Sequence, residues 1–255
     1  MTTRSEANYN RIFQMYSLMA QVVRTTPLIP RMRRVTLGGE SMRTLIGECQ
    51  PADAVKLYLP LQGQSAVQPK FISLPGRGKQ FNIRPYTIRR FDPEALELDI
   101  DVLLHGDSPG SVWARTVQPG DAVGFIGPRH DYRVPADVEW QLLVGDESAL
   151  PAIAAVLESL PAGARAYAWI EVNDAADELP IETKAEVHLS WLHRGRQSAA
   201  SSGLLEQNLR SFTLPAGKGH IWMAGHAQTA KNIRRHLLEE RQLSKDVVTT
   251  MGYWR

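Results

Sequence analysis

Three short stretches combine residue types suited to holding phosphates and planar rings. The first is Arg84-Pro85-Tyr86-Thr87, just ahead of an expected strand. Arg84 offers a charge-assisted guanidinium fork for a phosphate. Tyr86 offers a flat face for a ring and a hydroxyl for a polyol chain, and Thr87 adds a short donor. The second runs from Asp99-Ile100-Asp101-Val102-Leu103-Leu104-His105-Gly106 into Ser108-Pro109-Gly110-Ser111-Val112-Trp113-Ala114. It predicts a strand ending at His105, a loop, and a short helix starting near Ser111, whose first N–H groups would suit an anion. The third, Gly145-Asp146-Glu147-Ser148-Ala149-Leu150-Pro151-Ala152, lies where a strand is expected to turn into a helix. Ser148 is its candidate N-cap, and Pro151 fits the first helical turn. It is not the G-x-G-x-x-G dinucleotide fingerprint. Each stretch alone also fits a plain structural reading: a strand with a surface Arg and a packed Tyr, or a capped helix after an ordinary loop.

The elements that must position these residues change character near residue 136. Before it, apolar alternation between Gly and Pro punctuation predicts short antiparallel strands. Ala54–Leu59 alternates, and so does Leu96–Val102, with Leu96, Leu98, Ile100 and Val102 on one face and the carboxylates on the other. Pro75-Gly76-Arg77-Gly78 and Pro119-Gly120-Asp121 are turn signals. Many short strands with close turns predict a small β-barrel. Beyond about residue 138 strands alternate with helices: Gln141–Val144, then Ile153, Val156, Leu157 and Leu160 at helical spacing, then Tyr167–Ile170, Val187–Leu192, His220–Ala224, and a helix from Gln228 to Gln242. That order implies a parallel sheet wrapped by helices.

Composition narrows the classes. The 255 residues suffice for two modest domains. Cys49 is the single cysteine, which excludes an intrachain disulfide and a cysteine-built zinc or iron–sulfur site. The formal charge is +2, and no Lys/Arg run dominates a segment, so nucleic acid is not an expected partner. No stretch approaches the roughly 18 apolar residues of a membrane span. The polar opening Met1–Glu6 lacks the apolar core of a secretory signal, and a cytoplasmic location is expected.

Together the motifs resemble the siderophore-interacting protein family of FAD-dependent ferric-siderophore reductases, within the ferredoxin-reductase-like group. The matching stretches are Val35–Glu40, Arg84–Thr87, Asp99–His105, Gly145–Ala152 and Gly252-Tyr253-Trp254-Arg255, in the family's order and spacing. The resemblance covers nearly the whole chain from about residue 20. It implies a β-barrel plus α/β architecture: an antiparallel FAD-binding β-barrel (an FAD-binding FR-type domain) over residues 1–136, then a parallel-sheet NAD(P)H-binding domain over 137–255. It implies that Arg84, Tyr86 and Thr87 hold the ribityl–phosphate region of FAD, and that Asp101, Leu103 and His105 line the flavin and its phosphates. Ser111, Val112 and Trp113 would close over the pyrophosphate, Asp146, Ser148 and Ala149 would sit by the nicotinamide pocket, and Trp254 would lie close to the flavin. Two departures stand out. The loop after His105 is about one residue shorter than the family's, and Gly225-His226 stands where Gly-Glu is usual.

The implied reaction carries a hydride from NADPH or NADH to the flavin, then single electrons to Fe(III) held by a siderophore. Fe(III) suits hard oxygen chelators, so no protein ligand to iron is required. An anionic chelate calls for a basic site, for which Lys56, Arg129 and Arg255 are the candidates. Arg194 and Arg196 could grip a 2′-phosphate and favour NADPH, while Glu171 and Asp174 could repel it. Two other readings remain: a flavin reductase exchanging electrons with a ferredoxin-type partner that docks on Lys231, Arg234 and Arg235, and a non-catalytic siderophore-binding module.

Overall fold

The computed structural model describes residues 15–61, 63–66, 68–69 and 81–255. The expected turn at Pro75-Gly76-Arg77-Gly78 and the Met1–Glu6 segment lie outside these. The chain divides into two compact units, Met1–Asp131 and Tyr132–Arg255. The division thus falls a few residues before the change of texture in the sequence, because Tyr132 already packs edge-on against His220 and Trp222.

The first unit is a seven-stranded sheet in the order β4-β3-β7-β1-β2-β6-β5. Its strands are β1 (Tyr16–Ile29), β2 (Met32–Gly38), β3 (Ala54–Pro60), β4 (Phe81–Thr87), β5 (Arg90–Asp92), β6 (Glu97–Leu103) and β7 (Ala122–Arg129). Every strand pair is antiparallel. One helix, α1 (Pro109–Thr116), follows β6. The sheet wraps a core built from Val35 and Leu37 of β2, Leu57 of β3, Leu98 and Ile100 of β6 and Phe125 of β7, all fully buried.

On β6 the apolar alternation holds, but the opposite face is not left to water. Cross-strand pairing sets Thr36 opposite Asp99 and Arg34 opposite Asp101. The Thr36 hydroxyl donates to Asp99 at 2.6 Å. Arg34 donates to both Asp101 oxygens at 2.7 and 2.8 Å, and Arg89 lies 3.7 Å from the same carboxylate. Bidentate pairing of this kind compensates the cost of taking a carboxylate out of water.

The second unit is a parallel sheet ordered β10-β9-β8-β11-β12. Its strands are β8 (Trp140–Asp146), β9 (Arg165–Val172), β10 (Glu186–His193), β11 (Gly219–His226) and β12 (Val248–Trp254). The helices are α2 (Leu150–Ser159), α3 (Leu204–Ser211) and α4 (Ala227–Arg235), the last continuing as a π-turn over His236–Glu240. Helix α2 is buried from Leu150 to Leu157, which its near-continuous apolar sequence requires. α3 and α4 bury Leu205, Leu209, Ala230, Ile233 and Leu237 against Leu142, Val144 and Met223. The strand order reverses between β8 and β11, and in open α/β sheets such a switch point, at the carboxyl ends of the strands, is where ligands bind.

Candidate functional site

In the first unit, Arg84, Tyr86 and Thr87 lie within β4 rather than ahead of a strand, because β4 pairs with β3 along its whole length. Arg84 is exposed, and its guanidinium donates to the Ile83 carbonyl at 2.9 Å. Tyr86 is half-buried beside the core, and burial pushes its phenol up to about 12, so it stays a neutral donor. Its hydroxyl rests against Gly110 in the first turn of α1. A Cβ there would lie 2.0 Å from the Tyr86 oxygen. Only glycine permits this approach, and it joins the β4 motif to the start of the helix. Thr87 is buried at the end of β4.

Helix α1 begins earlier than its sequence suggested. Ser108 is the N-cap and Pro109 the first helical residue. Ser111 is therefore inside the helix and fully buried. It accepts from the His105 backbone N–H at 2.9 Å and from the Ser108 hydroxyl at 2.9 Å, and it donates to the His105 carbonyl at 3.1 Å. Its hydroxyl locks the His105–Ser108 loop to the helix. The His105 ring is exposed, with Nε2 3.3 Å from the Ser108 hydroxyl. Leu103 ends β6, half-buried. Val112 is exposed, whereas Trp113 belongs to the core. Asp101 is enclosed by Arg34 and Arg89, and its pair with Arg34 ties β6 to β2.

A cleft of about 730 Å³ runs beside this helix, lined among others by Asn82 of β4, Pro109, Val112 and Trp113 of α1, and Gln64. The residues present fit a dinucleotide such as FAD. The first turn of α1 contains no acidic residue to cancel its positive end, the Arg84 fork is exposed on β4, and the Tyr86 hydroxyl packs against Gly110 at the helix start.

In the second unit, Asp146 organises the switch point. Its carboxylate accepts from the Ser148 N–H at 2.9 Å and hydroxyl at 2.5 Å, from the His226 N–H at 2.9 Å, and from Trp254 Nε1 at 2.8 Å. Burial raises its pKa, and these donors pull the other way. Gly225, at φ +148°, allows the approach, since a Cβ there would lie 2.6 Å from an Asp146 oxygen. Ser148 is consequently not the N-cap: its side chain turns back to Asp146, and Ala149 caps α2 without a side-chain bond. The His226 ring lies against Trp254 with centroids 4.7 Å apart, so an aromatic contact occupies the position where a carboxylate was the expected type.

Arg194, offered by sequence for a 2′-phosphate, is instead enclosed. It pairs with Glu147, lies 3.9 Å from Glu171, and donates to the Gln197 carbonyl at 3.1 Å. Glu171 takes the Ser202 hydroxyl at 2.8 Å, and burial pushes its carboxyl up to about 7. Arg196 is exposed, and Asp174 caps the 3₁₀ turn Ala175–Asp177.

Of the basic candidates, Lys56 is exposed on β3, and Arg129, at the end of β7, donates to Asp131 at 2.6 and 2.5 Å. Arg255 is exposed at the end of the chain. Sequence reasoning missed Asp53 and His130, which meet beside Arg129: both Asp53 oxygens lie 3.0 Å from His130 Nδ1. The available signal was a histidine directly after the candidate Arg129.

The antiparallel unit with its glycine-walled helix start and the parallel unit with its switch point define a two-domain flavin-reductase architecture. A model described as the siderophore-interacting FAD-binding domain matches residues 21–132, and one described as siderophore-interacting protein matches residues 138–255. The chain is 30% identical to the ferric vibriobactin reductase ViuB of Vibrio cholerae, over 96% of this chain and 92% of that protein. It is 29% identical to the NADPH-dependent ferric-chelate reductase of Escherichia coli K12, over 91% of each. A siderophore utilization protein from T. fusca superposes with a TM-score of 0.84 at 36% identity, over 96% of this chain and 94% of that one. This chain belongs to the siderophore-interacting protein family.

Proposed function

We propose that this chain is a ferric-siderophore reductase that takes electrons from NADPH or NADH and delivers them singly to siderophore-bound Fe(III), releasing Fe(II). FAD, when bound, supplies the conversion between a two-electron hydride donor and a one-electron acceptor. The observation that carries the reading is the Tyr86–Gly110 contact beside the exposed Arg84. It brings a neutral phenol of β4 against the start of α1, whose Pro109, Val112 and Trp113 line the cleft. Arg84 binds phosphate there, Tyr86 and Thr87 orient the ribityl region, and Val112 with Trp113 shields the pyrophosphate from water. Asp146, Ser148 and Ala149 shape the pocket for the nicotinamide at the switch point.

Lys56, Arg129 and Arg255 attract the anionic chelate. Because Asp131 already pairs with Arg129, a chelate must compete for that guanidinium. NADPH as donor supports a cytoplasmic site of action. A ferredoxin-type partner is a second reading, supported by exposed Lys231 and Arg235 on α4; Arg234 instead reaches the Val248 carbonyl at 3.4 Å.

The test is anaerobic reduction of ferric chelates with a ferrous trap. Arg84→Ala is expected to weaken FAD binding by about tenfold or more. Lys56→Glu is expected to slow reduction of anionic chelates and spare neutral ones. Equal rates with both chelates in mutant and native protein would remove the basic site from the account.

A further inference from the structure

Asp53 and His130 form a dyad that the reading above does not use. Asp53 is fully buried at the start of β3 and accepts from the Gln50 N–H at 2.7 Å. Its own carbonyl takes the Ile88 N–H at 2.6 Å, so three segments pin it. Both its oxygens face His130 Nδ1, and the His130 side chain keeps about a fifth of its surface exposed. Burial raises the Asp53 pKa, while the Gln50 N–H and His130 oppose the rise. The charged and titratable groups around the pair are Arg129 and Asp131 on the His130 side, and Cys49 and Glu48 on the Asp53 side.

The dyad sits in the same corner as the proposed chelate site. Arg129 pairs with Ala54 across β3 and β7, and Lys56 lies two residues further along β3. A buried carboxylate on Nδ1 fixes the imidazole orientation and leaves Nε2 as the position that exchanges protons outward. The His130 side chain keeps about a fifth of its surface exposed, and it directly follows Arg129 in the chain.

Resting on the reductase reading, we propose that His130 is the acid that protonates the siderophore as its iron is reduced, with Asp53 as its positioning residue. FAD, when bound, would supply one electron to the chelated Fe(III). As the Fe(II)–oxygen bond of the chelating catecholate or hydroxamate breaks, the proton on His130 Nε2 forms the new O–H bond. His130 is left neutral and is reprotonated from water. Proton transfer at this step favours release of Fe(II), since a protonated oxygen competes less well for the metal. General acids of this kind contribute about a hundredfold or more.

The experiment uses the FAD-loaded protein and its His130→Gln and Asp53→Asn variants, with two acceptors. A ferric tris-catecholate needs protons on release, whereas ferricyanide takes an electron and no proton. His130→Gln is expected to slow catecholate reduction by about tenfold or more and to remove its solvent deuterium isotope effect. Ferricyanide rates are expected to stay within about twofold of the native protein. Asp53→Asn is expected to fall between the two. Binding of the redox-inert gallium(III) tris-catecholate, read by tryptophan quenching, is expected to change by less than about threefold in His130→Gln, which separates protonation from docking. Equal losses with both acceptors, or a catecholate rate and isotope effect unchanged in His130→Gln, would overturn the assignment. A native protein that reduces ferricyanide but no ferric chelate would instead overturn the reductase reading on which it rests.

Discussion

In the antiparallel unit the buried acids of β6 each meet a dedicated partner: Asp101 has Arg34 and Arg89, and Asp99 has Thr36. In the parallel unit Glu147 and Glu171 meet Arg194 at the strand ends, and the charge of Asp146 acts on Glu171. The first arrangement closes a sheet and leaves the neighbouring Arg84 and Val112 facing outward. The second gathers buried carboxyl groups at the carboxyl ends of the strands. There, burial lifts the Glu171 carboxyl to about 7.

This contrast can be broken at several points. The largest effect is expected from Asp101→Ala, which removes the buried carboxylate that Arg34 grips with two hydrogen bonds and that lies 3.7 Å from Arg89. It should cost about 3–5 kcal/mol in urea unfolding. Asp146→Ala removes the acceptor for Trp254 Nε1, the His226 N–H and Ser148. A loss of about 3 kcal/mol is expected, with a change in tryptophan fluorescence reporting the freed Trp254 indole. A loss below about 1 kcal/mol would show that water replaces these bonds freely. Gly110→Ala drives a methyl into the Tyr86 hydroxyl and is expected to cost about 1–3 kcal/mol. FAD affinity measured by fluorescence should fall with it, while Asp146→Ala should leave that affinity nearly unchanged.

The smallest effect lies with Glu171. Its folded value of about 7 stands above the ordinary 4.5. Ionisation therefore opposes folding: the stability this group contributes is present at low pH and is lost as pH rises from about 4.5 through about 7. Glu171→Gln is expected to flatten the melting temperature across that window. An unaltered pH profile would mean that Arg194 neutralises Glu171 fully.

Much of this was legible in sequence, and what was not has a physical cause. Alternation along Leu96–Val102 located β6 and its inward face, but a period of two says nothing about what covers the other face. The cross-strand partners Arg34 and Thr36 lie more than sixty residues away. Local preference made Ser148 the cap of α2, and Asp146 two residues earlier proved the stronger attraction for its hydroxyl. Arg194 looked free because a parallel sheet joins residues 147, 171 and 194 only after three strands align. The Gly110–Tyr86 contact was similarly hidden, although both residues belonged to motifs that sequence had singled out.

The central claim is that this chain moves electrons from a nicotinamide through FAD to chelated iron. Its most direct test follows NADPH oxidation and ferrous-trap absorbance together, without oxygen, on the FAD-loaded protein with a ferric tris-catecholate. The expected result is two Fe(II) trapped for each NADPH consumed, since a hydride carries two electrons and each iron takes one. A protein that binds no FAD, or one that oxidises NADPH while no Fe(II) reaches the trap, would contradict it.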